Sequence, residues 1–405
     1  VTLIGNESCR KVWWESFDEK YNFDLKPYHI LIILGDDFDY HEAMVISKYW
    51  KKWGAKIDFT GIGYQAKGHV WKSVATGWDR SEMRIIDLDL LVRQVDLEQY
   101  QAIFFPGGNS PVSLLREDSL TIVNIIQQAN ARKMTLAAIC HGTRLFASAD
   151  IIAGRRVTGH PDVYSYLEGA GAELIDAKFV VDDNLITTNW PYFETTAVKV
   201  AQRLLYAEFL QTSRYINSHQ DSIFNKAILL TKSSDTDIER VEKLLEWVRD
   251  NYREGDCHSW IASEIIDCQG GSSPQNAILL TALCRAIGIP ARLHLQQVTM
   301  LNDLPAEGTT GKSTFAHGIV GLNLNGHWHL YETTGKQTKL FKWWQNTLER
   351  QDIPPRFNPQ QDGLLPSNQQ VQLITFPDYF SDADSKYRNA IWEINQGKKE
   401  LISPD

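Results

Sequence analysis

Cys140 and His141 are adjacent in the run Leu136-Ala137-Ala138-Ile139-Cys140-His141-Gly142, where small and apolar residues give way at once to a thiol, an imidazole and a glycine. The apolar residues predict a buried strand, and Thr143 to Ala149 reads as helical. The reactive pair therefore falls on a sharp strand-to-helix bend, an arrangement that presents a nucleophile at the carboxyl edge of a sheet. A helix N-terminus favours the thiolate, which is the attacking form of cysteine. The competing reading is a buried structural cysteine at a strand end, a common fate of that residue type.

The elements that would hold this bend follow from the hydrophobic pattern. His29 to Leu34 is a short apolar run, hence a buried strand. Gly35-Asp36-Asp37-Phe38-Asp39 turns the chain, and His41 to Trp53 has the spacing of an amphipathic helix that stops before Gly54. Further strands are expected at Lys56 to Gly61 and at Ala102 to Phe105, the latter stopped by Pro106-Gly107-Gly108. A helix is expected over Leu120 to Ala131, then two strand-like runs within Phe179 to Thr187, then a helix from Phe193 to Leu210. Buried apolar strands alternating with helices imply an α/β domain, with a mostly parallel sheet covered on both faces.

A second unit follows a polar stretch, Gln211 to Asn225, read as a linker. Asp237 to Tyr252 and Asn276 to Ile287 have helical spacing. Arg292 to Thr299 and His317 to Leu324 have strand character, and Asn325-Gly326 is a hairpin turn signal. Helices followed by a strand meander predict an α+β domain. The expected organisation is an N-terminal extension (1–26), the α/β domain (27–210), a linker (211–225), the second domain (226–345) and a C-terminal extension (346–405) with a helix at Lys386 to Asn395.

Bulk properties narrow the function classes. A chain of 405 residues with 43% hydrophobic and 22% charged residues is an ordinary globular composition for two domains. The net charge of −9, with no long run of Lys and Arg, argues against a nucleic-acid or anionic-membrane partner. No apolar stretch reaches bilayer-spanning length and no signal-peptide pattern is visible. The five cysteines are Cys9, Cys140, Cys257, Cys268 and Cys284, an odd and sparse set that fits a reducing, cytoplasmic compartment better than a disulfide scaffold. Pairing of Cys257 with Cys268 is neither required nor forbidden. No CxxC or HExxH motif occurs, and no motif implies a metal or an organic cofactor.

Residues from Pro27 to about Leu210 resemble the ThiJ/PfpI family, within the class I glutamine-amidotransferase-like superfamily, which implies a flavodoxin-like sheet. The segments that carry the resemblance stand in order. They are the Gly35–Asp39 turn, Phe105-Pro106-Gly107-Gly108, Ala138-Ile139-Cys140-His141-Gly142, Gly154-Arg155-Arg156-Val157-Thr158, Gly169-Ala170-Gly171-Ala172-Glu173 and Val180 to Thr187. The resemblance implies Cys140 as nucleophile, His141 as its base, and an oxyanion hole from Gly108 and the His141 backbone N–H. It also implies a carboxylate from the first turn beside the sulfur, usually Glu, whose matching position here is Asp39; the other reading of Asp39 is a helix N-cap. In the protease branch a Glu after the Pro-Gly-Gly turn completes a triad across a subunit interface. Val112 stands at that place here, with Glu117 on a different turn. That branch has a Tyr twenty positions after the nucleophile, where this chain has His160. His160 is expected to line the Cys140 pocket, against the alternative of a surface-loop histidine.

Residues from about Ile228 to Trp344 resemble a transglutaminase-like, papain-like domain, through Trp247 to Tyr252, Ala277 to Arg292, Ala316-His317-Gly318 and Gly326-His327-Trp328. The family's Cys-His-Asp positions fall on Ser273, His317 and Glu332. Serine depends on its base far more than cysteine does, which favours a non-catalytic domain over a serine hydrolase. Cys268, just upstream, substitutes for the missing thiol only if its loop folds back.

Three functions remain open. The first is a ThiJ/PfpI-type enzyme using Cys140 on an amide, peptide or α-oxoaldehyde carbonyl. The second is a redox-sensing or binding protein with an oxidisable Cys140 and a pseudoenzyme second domain. The third is a serine amidase through Ser273, His317 and Glu332. A small-molecule or peptide substrate and a homodimer through the first domain are the expected partners.

Overall fold

A computed structural model of the chain describes residues 20–74, 77–252, 257–268, 270–300, 313–334, 356–357, 371–375 and 379–396. The chain divides into two compact units, 1–207 and 208–405.

In the first unit, strand β1 (His29–Ile33) leads through the Asp37–Asp39 turn into helix α1 (Tyr40–Lys52) and then β2 (Lys56–Gly61). A hairpin of β3 (Gln65–Val74) and β4 (Gly77–Asp87) follows, an element the hydrophobic pattern did not reveal. Then come β5 (Leu90–Leu91), β6 (Ala102–Phe105), α2 (Ser110–Ala131), β7 (Thr135–Ile139) and a short α3 (Arg144–Ser148). The unit closes with β8 (Phe179–Asp182), β9 (Leu185–Thr188) and α4 (Phe193–Leu205). Helix α2 begins ten residues before the predicted Leu120, and the backbone departs from helical geometry within it at Asp118. The main sheet has seven strands in the order β8-β9-β7-β6-β1-β2-β5. All its pairs are parallel except β8–β9.

Alternation along the strands divides the core in two, because successive side chains point to opposite faces. Ile30, Ile32, Phe104, Ala137 and Ile139 pack with Trp50 of α1 and Val200 of α4. Leu31, Ile33, Ile103, Phe105, Leu136 and Ala138 pack with Ile122, Ile125 and Ile126 of α2. Strands buried on both faces need no polar alternation, which is why β1 and β7 read as continuous apolar runs. The stripe Ala43, Ile46, Tyr49 and Trp50 seats α1 on the sheet, and each such large side chain contributes roughly 1.5–3 kcal/mol by burial. Tyr21, Phe23 and Leu25 pack into the same core, Phe23 meeting Trp53 edge-on with centroids 4.8 Å apart. The described end of the N-terminal extension is thus part of the first unit's core; Cys9, Trp13 and Trp14 lie outside the described residues.

The second unit has α5 (Asp221–Thr231), α6 (Asp237–Asn251), α7 (Ala262–Cys268) and α8 (Ser273–Ala286). An antiparallel sheet follows in the order β13-β12-β11-β10-β14, from β10 (Ala291–Met300), β11 (Ser313–Leu324), β12 (His327–Glu332), β13 (Arg356–Phe357) and β14 (Val371–Thr375). Helix α9 (Ser385–Asn395) comes last among the described residues. Asn325 and Gly326 both have positive φ, 55° and 90°, as the two-residue turn between β11 and β12 requires. Helix α5 starts inside the stretch read as linker and buries Ile223 and Phe224. The polar residues that precede Ile223 hid its start. Cys257 and Cys268 are joined by a disulfide, with Cα atoms 5.7 Å apart. Most of the predicted C-terminal extension, 346–405, lies outside the described residues. Among the described residues no helix is long and apolar enough to cross a membrane.

Candidate functional site

The chain runs from β1 to β2 on one side and returns to β6 on the other, so the sheet order reverses between β1 and β6. Loops leaving the carboxyl ends of strands beside such a point form a crevice. The segments leaving β1, β6 and β7 meet there. Cys140 follows β7 directly and has φ 58°, a left-handed conformation that costs a non-glycine residue on the order of 1–3 kcal/mol. A 3-10 turn over Cys140–Thr143 then feeds α3. Two glycines permit the bend. A Cβ on Gly142 would lie 2.3 Å from the Phe105 carbonyl oxygen, and one on Gly107 would lie 2.8 Å from His141 N and 2.9 Å from Cys140 Cβ.

The carboxyl group beside the sulfur is Glu42, not Asp39. The Asp39 carboxylate caps α1, accepting from His41 N at 2.9 Å and from Glu42 N at 3.3 Å. That geometry turns its side chain back on its own helix. Glu42, one turn into α1, is fully buried on the helix face against the sheet, where its Oε2 accepts the Gly107 N–H and its carboxyl hydrogen-bonds Cys140. Burial, with the Asp39 charge behind it, pushes the Glu42 carboxyl well above its ordinary value. Burial and then Glu42, where it is ionised, push the Cys140 thiol upward too, against a lowering contribution from the His141 backbone N–H. The helix-end stabilisation expected for the thiolate is therefore outweighed by desolvation. A carboxyl that keeps its proton carries no charge to repel the sulfur and has an O–H to donate to it.

His141 Nδ1 lies 3.2 Å from Cys140 Sγ. Its other nitrogen, Nε2, is 3.5 Å from Asp162 Oδ2. Burial, then the neighbouring His160, lower the His141 pKa from the ordinary imidazole value, with Asp162 acting in the opposite direction. His160 stands beside His141. Its ring stacks on His141 with centroids 4.5 Å apart and planes 20° apart, and its backbone N–H donates to the Cys140 carbonyl at 3.2 Å. Gly159 brings this loop in; a Cβ there would lie 2.4 Å from Thr143 Oγ1. Val112 is exposed on α2, and Glu117 accepts from Ser113 Oγ at 2.9 Å within the same helix. Gly108 has φ 66° and bridges to Phe38 beside the elbow.

Two residues of this site, Glu42 and Asp162, did not emerge from the sequence. Glu42 left a signal, since it shares the apolar stripe of α1 with Ala43, Ile46 and Trp50, where an acid is out of place. Asp162 left none beyond its spacing of two from His160.

In the second unit Ser273 is the first residue of α8, with Ser272 as N-cap. The Gly318 N–H points at Ser273 Oγ at 3.3 Å, and a Cβ on Gly318 would lie 2.5 Å from Pro274 Cα, so β11 and the helix start are in close contact. His317 Nε2 and Glu332 Oε2 are 2.6 Å apart, with both side chains buried. Burial raises the Glu332 carboxyl, but the His317 imidazole and bonds from His317 and Thr334 outweigh it and hold the carboxyl below its ordinary value. The three positions thus share one place. Cys268 does not replace Ser273, being bonded to Cys257.

Family models match both units. The DJ-1/PfpI family model matches residues 28–202 and that of the transglutaminase-like superfamily residues 225–333. Protein/nucleic acid deglycase 2 of Escherichia coli is 35% identical over 123 residues, 30% of this chain and 70% of that protein. The chain belongs to the DJ-1/PfpI family. Another DJ-1/PfpI relative, a deglycase of Pyrococcus abyssi, is 29% identical over 106 residues, 26% of this chain; the match spans 63% of that relative's length. A solved ThiJ/PfpI domain protein from Brachyspira murdochii is similar at 21% identity and a TM-score of 0.37, covering 44% of this chain and 95% of that one. The DJ-1/PfpI region thus carries the Cys140 elbow, and the transglutaminase-like region carries Ser273, His317 and Glu332.

Proposed function

We propose that this protein is a cysteine-dependent enzyme acting on small carbonyl compounds, of the kind formed by α-oxoaldehydes or their adducts with amino groups. One observation carries the reading: Cys140 is held in a strained backbone conformation between a buried Glu42 carboxyl and the Nδ1 of His141. Relatives named as deglycases point to the same substrate class.

The tautomer that fits has Nε2–H toward Asp162 and a lone pair on Nδ1 toward the thiol. His141 accepts the thiol proton, and the sulfur then adds to the carbonyl carbon as the π pair moves onto oxygen. The backbone N–H groups of His141 and Gly108 are the donors assigned to that oxyanion, and the Glu42 carboxyl or the His141 imidazolium returns a proton to it. Asp162 orients the imidazole within one chain, the role that Val112 leaves empty. A base with a lowered pKa stays unprotonated at neutral pH, and addition of the sulfur to the carbonyl draws the transfer from the raised thiol forward.

The second unit is read as non-catalytic. Its Ser273 hydroxyl faces the Gly318 N–H, and its His317–Glu332 pair is closed to solvent. The experiment compares wild type, Cys140→Ser, Asp162→Asn and Ser273→Ala for methylglyoxal consumption and for removal of its adducts from amino groups. Cys140→Ser is expected to abolish activity, Asp162→Asn to lower kcat/KM by about 10²-fold or more, and Ser273→Ala to leave it unchanged. Full activity in Cys140→Ser overturns the proposal.

A further inference from the structure

His141, His160 and Asp162 converge on one point at the mouth of the elbow. His141 Nε2 is 3.5 Å from Asp162 Oδ2, and His160 Nδ1 is 3.4 Å from the same oxygen. Those separations are at the long limit for hydrogen bonds to a carboxylate. They match the spacing of donors around a tetrahedral zinc ion, which lie about 3.3–3.6 Å apart when each bond is ~2.0–2.2 Å. One ligand atom from each of the three residues lies within 4.8 Å of the others. We propose that His141, His160 and Asp162 bind one divalent transition-metal ion of the zinc type, with the fourth position open to water.

The donor set is two imidazoles and one carboxylate, which suits zinc, cobalt or nickel and not the oxygen-only demands of calcium or magnesium. The histidines are set before any ion arrives. His141 follows the strained nucleophile, and His160 is tied to it by the bond from its backbone N–H to the Cys140 carbonyl. The parallel stacking of the rings aligns their edges toward Asp162. Asp162 N–H reaches His160 Nδ1 at 3.3 Å, a long contact that the ion would replace. The histidines are partly exposed and Asp162 is exposed, so the ion has a route in from solvent. A ligating imidazole usually donates its remaining N–H to an acceptor, and His141 Nδ1 has the Cys140 sulfur at 3.2 Å. Metal on Nε2 therefore puts a proton on Nδ1 and takes away the lone pair that accepts the thiol proton. The ion and the proton-accepting imidazole are alternative states of one residue. No sequence motif pointed to this site, because its ligands follow no familiar metal-binding spacing.

The test is a titration of the full chain with Co(II), followed by visible d–d absorption, and of zinc by calorimetry. The expected result is one ion per chain with a four-coordinate cobalt spectrum. His160→Gln and Asp162→Asn are expected to weaken it by at least ~100-fold, Asp162→Glu by less than ~10-fold, and Cys140→Ser, which keeps an acceptor for His141 Nδ1, by less than ~10-fold. Both His160 and Asp162 reach the surface, and thermal midpoints of the variants confirm their folding. Absence of stoichiometric binding in wild type overturns the proposal. Unchanged affinity in His160→Gln and Asp162→Asn does so too, and loss in Cys140→Ser would place the ion on the thiol instead. None of these readouts needs a substrate, so they stand apart from the fate of the carbonyl chemistry.

Discussion

The two acids at the start of α1 show how little sequence distance separates a structural role from a chemical one. Asp39 precedes the helix, and its short side chain reaches back to the first free N–H groups. Glu42 lies three residues later and faces the sheet. Replacing Asp39 by Ser keeps a capping oxygen, so stability should fall by less than about 1 kcal/mol and the rate of Cys140 alkylation by iodoacetamide should hold. Glu42→Leu keeps the burial of the sulfur and deletes the proton donor, and at pH 7 it should slow alkylation at least ~10-fold. Equal effects from the two substitutions would return Asp39 to the site.

At the scale of the element, the elbow is made by what is missing from it. Gly142 runs against the Phe105 carbonyl, and a methyl group there must push β6 and β7 apart. Gly142→Ala should cost roughly 1–3 kcal/mol by overpacking. For a unit of this size that is about 2–12 °C in the unfolding midpoint, with alkylation of Cys140 losing its dependence on Glu42 as the bend opens. An unchanged midpoint would show that the bend has room to spare. The same close approach explains why the resemblance rests so heavily on glycine-bearing segments: a glycine required by backbone contact is written in the sequence as a residue type, whereas a side chain reaching across space is not.

Across the whole molecule, the two units carry two differently protected acid–base pairs, and their pH behaviour should differ. In the second unit Glu332 is held below its ordinary value by His317 and Thr334. A carboxyl with a depressed folded-state pKa contributes stability that is present above its unfolded value, about 4.3, and is lost as pH falls through the folded value. The protection of the β11 and β12 amides against hydrogen exchange, relative to the intrinsic rate at each pH, should therefore fall as pH drops below about 4. Glu332→Gln should flatten that dependence and cost about 3–5 kcal/mol at neutral pH, since it breaks a buried pair. Glu42 works in the other direction: its raised value contributes stability that is full at low pH and is lost as pH rises through the folded pKa.

Much of this was legible in the residues alone. The continuous apolar strands announced a parallel sheet, the helix after β1 lay within a residue of its predicted ends, and Cys140-His141-Gly142 marked the bend, because each depends on chain-local properties: period, turn chemistry and the absence of side chains. The β3–β4 hairpin and α5 were not legible, since their polar and apolar residues follow no single clean period. The identity of the carboxyl beside the sulfur, the reach of Asp162 to His141 and the stacking of His160 were decided only by the tertiary structure. Each depends on how α1 is rotated against the sheet and where the loop after Gly159 lands, and those are set by packing between segments far apart in the chain.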